Sequence, residues 1–129
     1  MDAGWHDRAK ADYDRCLAAY APVAAQLGAY HESEYLARLS FYELTFGGDA
    51  RSALEHARVA HELAPDSSLV GYILTYALMY NGEEEAFLRT FDEISGRGEN
   101  ERQNFREDFK MLRTFGLDHP LMQIAEGRL

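Results

Sequence analysis

Apolar residues recur along this chain with the period of an α-helix. The clearest example is one segment that is rich in small residues. Ala53, Ala57 and Ala60 recur at spacings of four and three, which places three methyl side chains on one helical face. Small side chains at that spacing allow a second helix to approach closely. Asp49 is placed to cap the start of this helix, and Pro65 ends it or lies just past its end.

The same periodicity predicts helices along most of the chain. Many alanine, leucine and glutamate residues and few β-branched residues also favour helix throughout. Pro22 lies inside the first helix, so either the helix is kinked there or two helices meet there. The broad apolar stripe of that helix is formed by Leu17, Tyr20, Val23 and Leu27. The predicted helices span residues 2–29, 34–46, 50–64, 69–80, 83–94 and 101–115, followed by a short final helix that carries Pro120 in its first turn.

Capping residues and glycines mark the predicted breaks between these helices. A short break is expected at residues 31–33, and the segment 95–100 is predicted to be a loop. Side-chain caps are expected at Ser33, at one of residues 66–68, and at Asp118. Helix stops are expected at Gly47-Gly48, at Asn81-Gly82 and at Gly116.

The charge balance of the chain argues against two classes of anionic partner. The 129 residues carry a formal net charge of −9, and lysine occurs only at Lys10 and Lys110. Nucleic acids and anionic membrane surfaces require clustered basic side chains, so neither is expected as a partner. The acidic balance either steers a basic partner toward the protein or serves solubility, and solubility is the favoured interpretation.

Chain length, cysteine content and sequence motifs limit the domain organisation, the compartment and the functions that we expect. At 129 residues we expect a single domain. The lone Cys16 fits a reducing compartment, and its default position is the buried core. No secretory signal and no apolar stretch of roughly 18 residues is found, so a cytoplasmic protein is expected. No nucleophile motif or phosphate loop is present, which predicts a protein that is not an enzyme and has no cofactor.

Histidine spacing does not predict a metal site. His56 and His61 lie five positions apart, so on a helix they point about 140° away from each other. His119, which precedes Pro120, is expected to be structural in the final turn.

The segment GDARSALEHARVAHELAP, residues 48–65, resembles the second helix of a tetratricopeptide repeat. That repeat is a helix–turn–helix unit of about 34 residues that must stack on its neighbours. Leu39-Ser40 and Leu74-Thr75 match each other in two successive pairs, whereas Glu43 and Leu78 stand where the family has tyrosine. The resemblance implies an all-α fold of stacked antiparallel hairpins, a short α-solenoid. Its parts are an N-terminal helix at 1–31, repeats at 34–65 and 68–95, and capping helices at 100–129.

The tail FREDFKMLRTFGLDHPLM, residues 105–122, carries a second resemblance. It is similar to the closing segment of some bacterial tetratricopeptide proteins, which implies a bacterial source. In such proteins the repeats accompany a separate enzymatic or signalling domain. Physically, this segment would cover the apolar face of the last repeat.

Two aromatic stripes are the candidate partner-binding residues. Tyr72, Tyr76 and Tyr80 lie four positions apart on one predicted helix, beside the core stripe. The resemblance implies that this flank lines a concave groove where peptides bind, and that Tyr35, Arg38 and Tyr42 occupy the equivalent helix of the preceding repeat. The alternative is that the tyrosines are core residues or pack under the N-terminal helix. Arg38 either clamps a partner's carboxylate or forms a salt bridge with Glu34, and the salt bridge is favoured.

Taken together, the resemblance implies a protein-interaction module that binds a peptide or helical segment of another protein. One alternative is a chaperone-like holder of secretion cargo, which shares the size and acidic charge. Another is a regulatory repeat domain that works with a separate enzyme domain. Self-association to a homodimer also stays open, because short repeat arrays leave apolar ends and Trp5 lies near an exposed terminus.

Overall fold

The computed structural model describes residues 3–129, and over that range the protein is all-helical, as the sequence predicts. Residues 1 and 2, included in the predicted first helix, lie outside the described residues. None of the helices within residues 3–129 combines the length and apolarity needed to cross a membrane. A π-helical turn, Glu43–Gly47, follows the second α-helix. The α-helices are α1 (Ala3–Leu27), α2 (Ala29–Tyr42), α3 (Ala50–Leu63), α4 (Ser68–Tyr80), α5 (Glu84–Ser95), α6 (Glu99–Thr114) and α7 (Pro120–Glu126).

The first two helices form a hairpin that turns at Gly28, so the predicted break at residues 31–33 is wrong. Gly28 has a φ of 106°, a conformation that glycine adopts at little cost and other residues avoid. Ser33 is therefore an interior residue of α2 rather than a cap, and its buried hydroxyl donates to the carbonyl oxygen of Tyr30 at 2.6 Å. α1 continues past Pro22 as one helix, so the alternative of two helices meeting there is also wrong.

The starts of α3 and α4 are fixed by side-chain caps, as predicted. The Asp49 carboxylate accepts a hydrogen bond from the backbone N–H of Ser52 at 3.0 Å. The Ser67 hydroxyl accepts one from the N–H of Val70 at 3.3 Å. These bonds satisfy N–H groups that the first helical turn leaves without partners.

The final helix is capped by His119, and the expectation of Asp118 as its cap is wrong. Pro120 occupies the first helical position, so the residue immediately before it becomes the cap. Nδ1 of His119 accepts the backbone N–H of Leu121 at 3.1 Å, which confirms a structural role for this histidine. The predicted loop at 95–100 is also shorter than expected, because α6 begins at Glu99.

Each helix from α1 to α5 packs against the next one in the chain, α2 also lies alongside α4, and α7 contacts α5. The alanine face of α3 is fully buried at Ala53, Ala57 and Ala60, which allows its close contact with α2 and α4. Beyond α4, four phenylalanine rings of α5 and α6 fill the core at Phe87, Phe91, Phe105 and Phe109. α4 is therefore the central helix, and most of its side chains are buried.

The outer side of α1 is less buried than the sequence predicts. Val23 is 44% exposed and Leu27 is 55% exposed, although both belong to the predicted apolar stripe. Cys16 is exposed, so its expected position in the core is wrong. The physical reason is that α1 packs mainly on α2, which covers only one narrow side of it.

Candidate functional site

Two clefts meet on the side of the molecule where α1, α2, α4 and α6 come together. The central cleft, of about 230 Å³, lies between α2, α4 and α6. The side cleft, of about 570 Å³, lies between α1 and α2. Tyr13 and Arg38 line both clefts, and we call the two together the groove. The central cleft is also lined by Phe41, Leu69, Tyr72, Ile73, Tyr76, Asn104, Asp108 and Met111, and the side cleft by Ala9, Asp12, Cys16, Leu17, Tyr20 and Glu34.

The three tyrosines of α4 have three different environments. Tyr72 is half-buried, lines the central cleft and meets the ring of Phe105 edge-on at 5.2 Å. Tyr76 lies at the floor of the cleft with 0% of its surface exposed. Tyr80 donates its hydroxyl hydrogen to the carbonyl oxygen of Leu117 at 2.7 Å and lines neither cleft.

The structure therefore corrects the interpretation of Tyr76 as a partner-binding residue, whereas a binding role for Tyr80 stays a prediction. Tyr76 has no surface for a partner to contact, because it is covered by α6 rather than by the N-terminal helix. Tyr80 instead holds the segment that leads into α7. The role of Tyr72 in binding stays a prediction, and its position at the cleft is compatible with it.

The tyrosines of α2 pack against α1. Tyr35 meets Tyr20 edge-on at 6.1 Å, and Tyr42 lies 6.1 Å from Tyr13, measured between ring centroids. The Nζ atom of Lys10 lies 5.6 Å from the centroid of the Tyr42 ring, a cation–π distance. Tyr35 and Tyr42 therefore pack under the N-terminal helix, as the alternative interpretation of the tyrosines has it. Neither of them lines either of the two clefts.

Arg38 marks the junction of the two clefts. Its Nη2 atom lies 2.8 Å from Oε1 of Glu34, so the favoured salt bridge is confirmed. The hydrogen bond from this guanidinium lowers the pKa of Glu34 below its ordinary value. About half of the Arg38 side chain stays exposed, and binding of a partner's carboxylate stays a prediction.

Asp108 is a polar residue of the central cleft that the sequence did not single out as a binding residue. Its Oδ2 atom accepts hydrogen bonds from the Tyr76 hydroxyl and, at 2.9 Å, from Nδ2 of Asn104. Burial raises the pKa of the Asp108 carboxyl above its ordinary value, and these two hydrogen bonds offset only part of that rise. No lysine, arginine or histidine in the described part of the chain forms a salt bridge with it.

The second oxygen of Asp108, Oδ1, accepts no hydrogen bond from residues 3–129. Within the same residues, every buried side-chain oxygen or nitrogen has a hydrogen-bond partner. Oδ1 is therefore accessible to solvent, on a residue that lines the central cleft, and it is an acceptor that no group of residues 3–129 uses.

The remaining polar clusters lie outside the groove. Nδ1 of His56 lies 2.5 Å from Oε1 of Glu43, whose other oxygen accepts the hydroxyl of Ser52. This cluster joins the π-helical turn to α3. Across residues 3–129, the histidine, cysteine and acidic side chains form no group of three or more that could hold a metal ion.

Comparisons with protein families, with curated proteins and with solved structures find no match to this chain. The groove therefore has to be interpreted from its own chemistry. It combines apolar and aromatic walls with the charged side chains of Arg38, Glu34, Asp12 and Asp108.

Proposed function

We propose that this chain is a protein-interaction module, a short tetratricopeptide-like array whose groove binds a segment of another protein. The α2–α3 and α4–α5 pairs are joined by short turns, and α2 lies alongside α4. Stacked helical hairpins require that arrangement, since each pair buries its apolar face against the next. The alanine face of α3 supports the proposal, because it allows the close approach between pairs.

The observation that carries the proposal is the central cleft, which is lined by side chains of three alternate helices, α2, α4 and α6, and by Tyr13 of α1. In a stacked array these helices share one face, which is the face that repeat proteins offer to a polypeptide. The cleft holds about 230 Å³, less than the roughly 300–1,000 Å³ of ordinary small-molecule sites. That volume suits one side chain of a bound segment, and the adjoining side cleft of about 570 Å³ offers room for the rest of it.

A selection from a random peptide library displayed on phage tests this function. We expect peptides that bind the protein and that lose at least about ten-fold in affinity when Leu69 is changed to Gln. Leu69 is 38% exposed on the wall of the central cleft, so the change removes apolar contact area without disturbing the core. Val59→Gln is the matched control, because Val59 is 45% exposed on α3 and lines neither cleft.

Both variants should unfold at the same urea concentration as the parent protein. Peptides that bind the Leu69→Gln and Val59→Gln proteins equally would place binding outside the groove. Failure to select any peptide that responds to Leu69→Gln would contradict the proposed function.

A further inference from the structure

The groove has a second property, which concerns the charge of the segment it receives. Of the charged side chains that line its two clefts, Asp12, Glu34 and Asp108 are acidic and only Arg38 is basic. The Arg38 guanidinium is already paired with Glu34 at 2.8 Å. The groove is therefore acidic, and Asp108 is the one carboxylate that lines its central cleft and forms no salt bridge within residues 3–129.

We propose that the central cleft binds an arginine or lysine side chain of the partner segment, with the cation on Oδ1 of Asp108. This inference rests on the proposed function and specifies the chemistry of its ligand. Oδ1 is the acceptor that no donor of residues 3–129 uses, whereas Oδ2 is held by Tyr76 and Asn104. The two donors fix the carboxylate, so its free oxygen is already oriented before a ligand arrives.

The walls of the cleft suit the rest of such a side chain. Phe41 and Tyr72 offer aromatic surface beside the carboxylate, and Leu69 and Ile73 offer aliphatic surface. The methylene stem of lysine or arginine packs on apolar groups, and its cation is attracted to the faces of aromatic rings. Aromatic and aliphatic walls around one acidic acceptor therefore match both parts of a basic side chain.

The energetics of Asp108 support a ligand that is charged rather than neutral. Burial raises the pKa of this carboxyl, which means that its ionised form is destabilised in the free protein. A cation that enters the cleft supplies the missing counter-charge. At longer range, the net charge of −9 raises the encounter rate with a basic segment and lowers it with an acidic one.

Four displayed peptide libraries test the inference. The libraries are identical except for one central residue, which is fixed as Arg, Lys, Gln or Glu, and each is selected against the parent protein, Asp108→Asn and Glu107→Gln. Asparagine keeps an acceptor for Tyr76 and Asn104 but removes the charge. Glu107→Gln changes the net charge equally, one residue away on α6, at a side chain that is exposed and lines neither cleft.

We expect the Arg and Lys libraries to yield at least about ten-fold more binders than the Gln and Glu libraries on the parent protein and on Glu107→Gln. On Asp108→Asn this preference should vanish. Replacing the central arginine of a selected peptide by citrulline should weaken binding to the parent protein about ten-fold and leave binding to Asp108→Asn unchanged. Asp108→Asn should unfold at the same or a higher urea concentration, because it removes a destabilised charge, and a purely structural role for Asp108 predicts a loss instead.

Equal yields from the four libraries, or an unchanged preference in Asp108→Asn, would overturn the inference. If such binders still respond to Leu69→Gln, the proposed function stands and only the basic ligand is wrong. If no library yields a binder that responds to Leu69→Gln, both the inference and the proposed function are wrong.

Discussion

Gly71 of α4 lies directly against Ile94 of α5, with no room between them for a side chain. A Cβ atom at position 71 would lie 2.6 Å from Cδ1 and 3.1 Å from Cγ1 of Ile94. Both residues are buried, and Ile94 is only 2% exposed. The absence of a side chain at Gly71 therefore leaves the space that the outer end of the Ile94 side chain occupies.

We expect Gly71→Ala to destabilise the protein by about 1 kcal/mol. The higher helix propensity of alanine stabilises the folded state by roughly 0.8–1 kcal/mol relative to glycine. Overpacking of a buried contact destabilises it by about 1–3 kcal/mol. Urea unfolding of Gly71→Ala, Ile94→Val and the double variant measures the coupling between the two sites. Valine lacks the Cδ1 atom, so the double variant should be more stable than the sum of the single changes by about 1 kcal/mol or more.

If the unfolding free energy lost by the double variant equals the sum of the two single losses, the two side chains do not compete for the same space. The control is Ile94→Val alone, which should cost about 0.5–1.5 kcal/mol as an ordinary loss of a buried methylene. A Gly71→Ala protein that is more stable than the parent would contradict the expected cost and show that the end of the Ile94 side chain shifts easily.

The helices could be predicted from the sequence where the deciding signals are local. α3 follows from the Asp49 cap and from three alanines that are each about one turn from the next, and both are properties of nearby residues. The sequence does not indicate the turn at Gly28, because Ser33 is a nearby residue that could cap the same helix. A lone glycine does not reveal from sequence whether its φ is positive.

The candidate site was less predictable, because it depends on contacts between distant residues. The Tyr76–Asp108 hydrogen bond joins residues 32 positions apart, and no local pattern indicates that α6 covers Tyr76. Helical spacing placed Tyr72 and Tyr76 on one stripe, yet only the packing of α6 separates a cleft residue from a core residue. Similarly, nothing near Cys16 indicates that only one side of α1 is covered.

Arg113 joins the last two helices through two carboxylates. Its Nη1 and Nη2 atoms lie 2.8 and 2.5 Å from the two oxygens of Glu126, and its Nε atom lies 3.0 Å from Asp118. The hydrogen bonds from Arg113 lower the pKa of Glu126 below its ordinary value of 4.5. A carboxyl with a lowered pKa in the folded state stabilises the protein fully above that ordinary value, and the contribution is lost as pH falls through the lowered pKa.

Replacing Arg113 by Gln should therefore destabilise the protein at neutral pH and have a progressively smaller effect below pH 4.5. The loss should be about 1 kcal/mol or less, because the pair is partly exposed and screened by solvent. Urea unfolding across this pH range measures it. Arg89→Gln is the matched control, since Arg89 is exposed and forms no ion pair with residues 3–129. An effect of Arg113→Gln that does not change with pH would assign its cost to packing rather than to charge.

Tyr76 and Tyr72 lie one helical turn apart on α4. Comparing substitutions at these two positions distinguishes a core residue from a residue on the wall of the groove. Tyr76→Ala removes a fully buried ring from contact with Phe105 and Phe109, and we expect a loss of about 3–5 kcal/mol in unfolding free energy. Tyr72→Ala, at a half-buried ring on the cleft wall, should cost clearly less. Tyr76→Phe keeps the ring and loses only the hydrogen bond to Asp108, so about 1 kcal/mol is expected. Urea unfolding of the three variants measures this order, and a Tyr76→Ala protein as stable as Tyr72→Ala would contradict the burial of Tyr76 beneath α6.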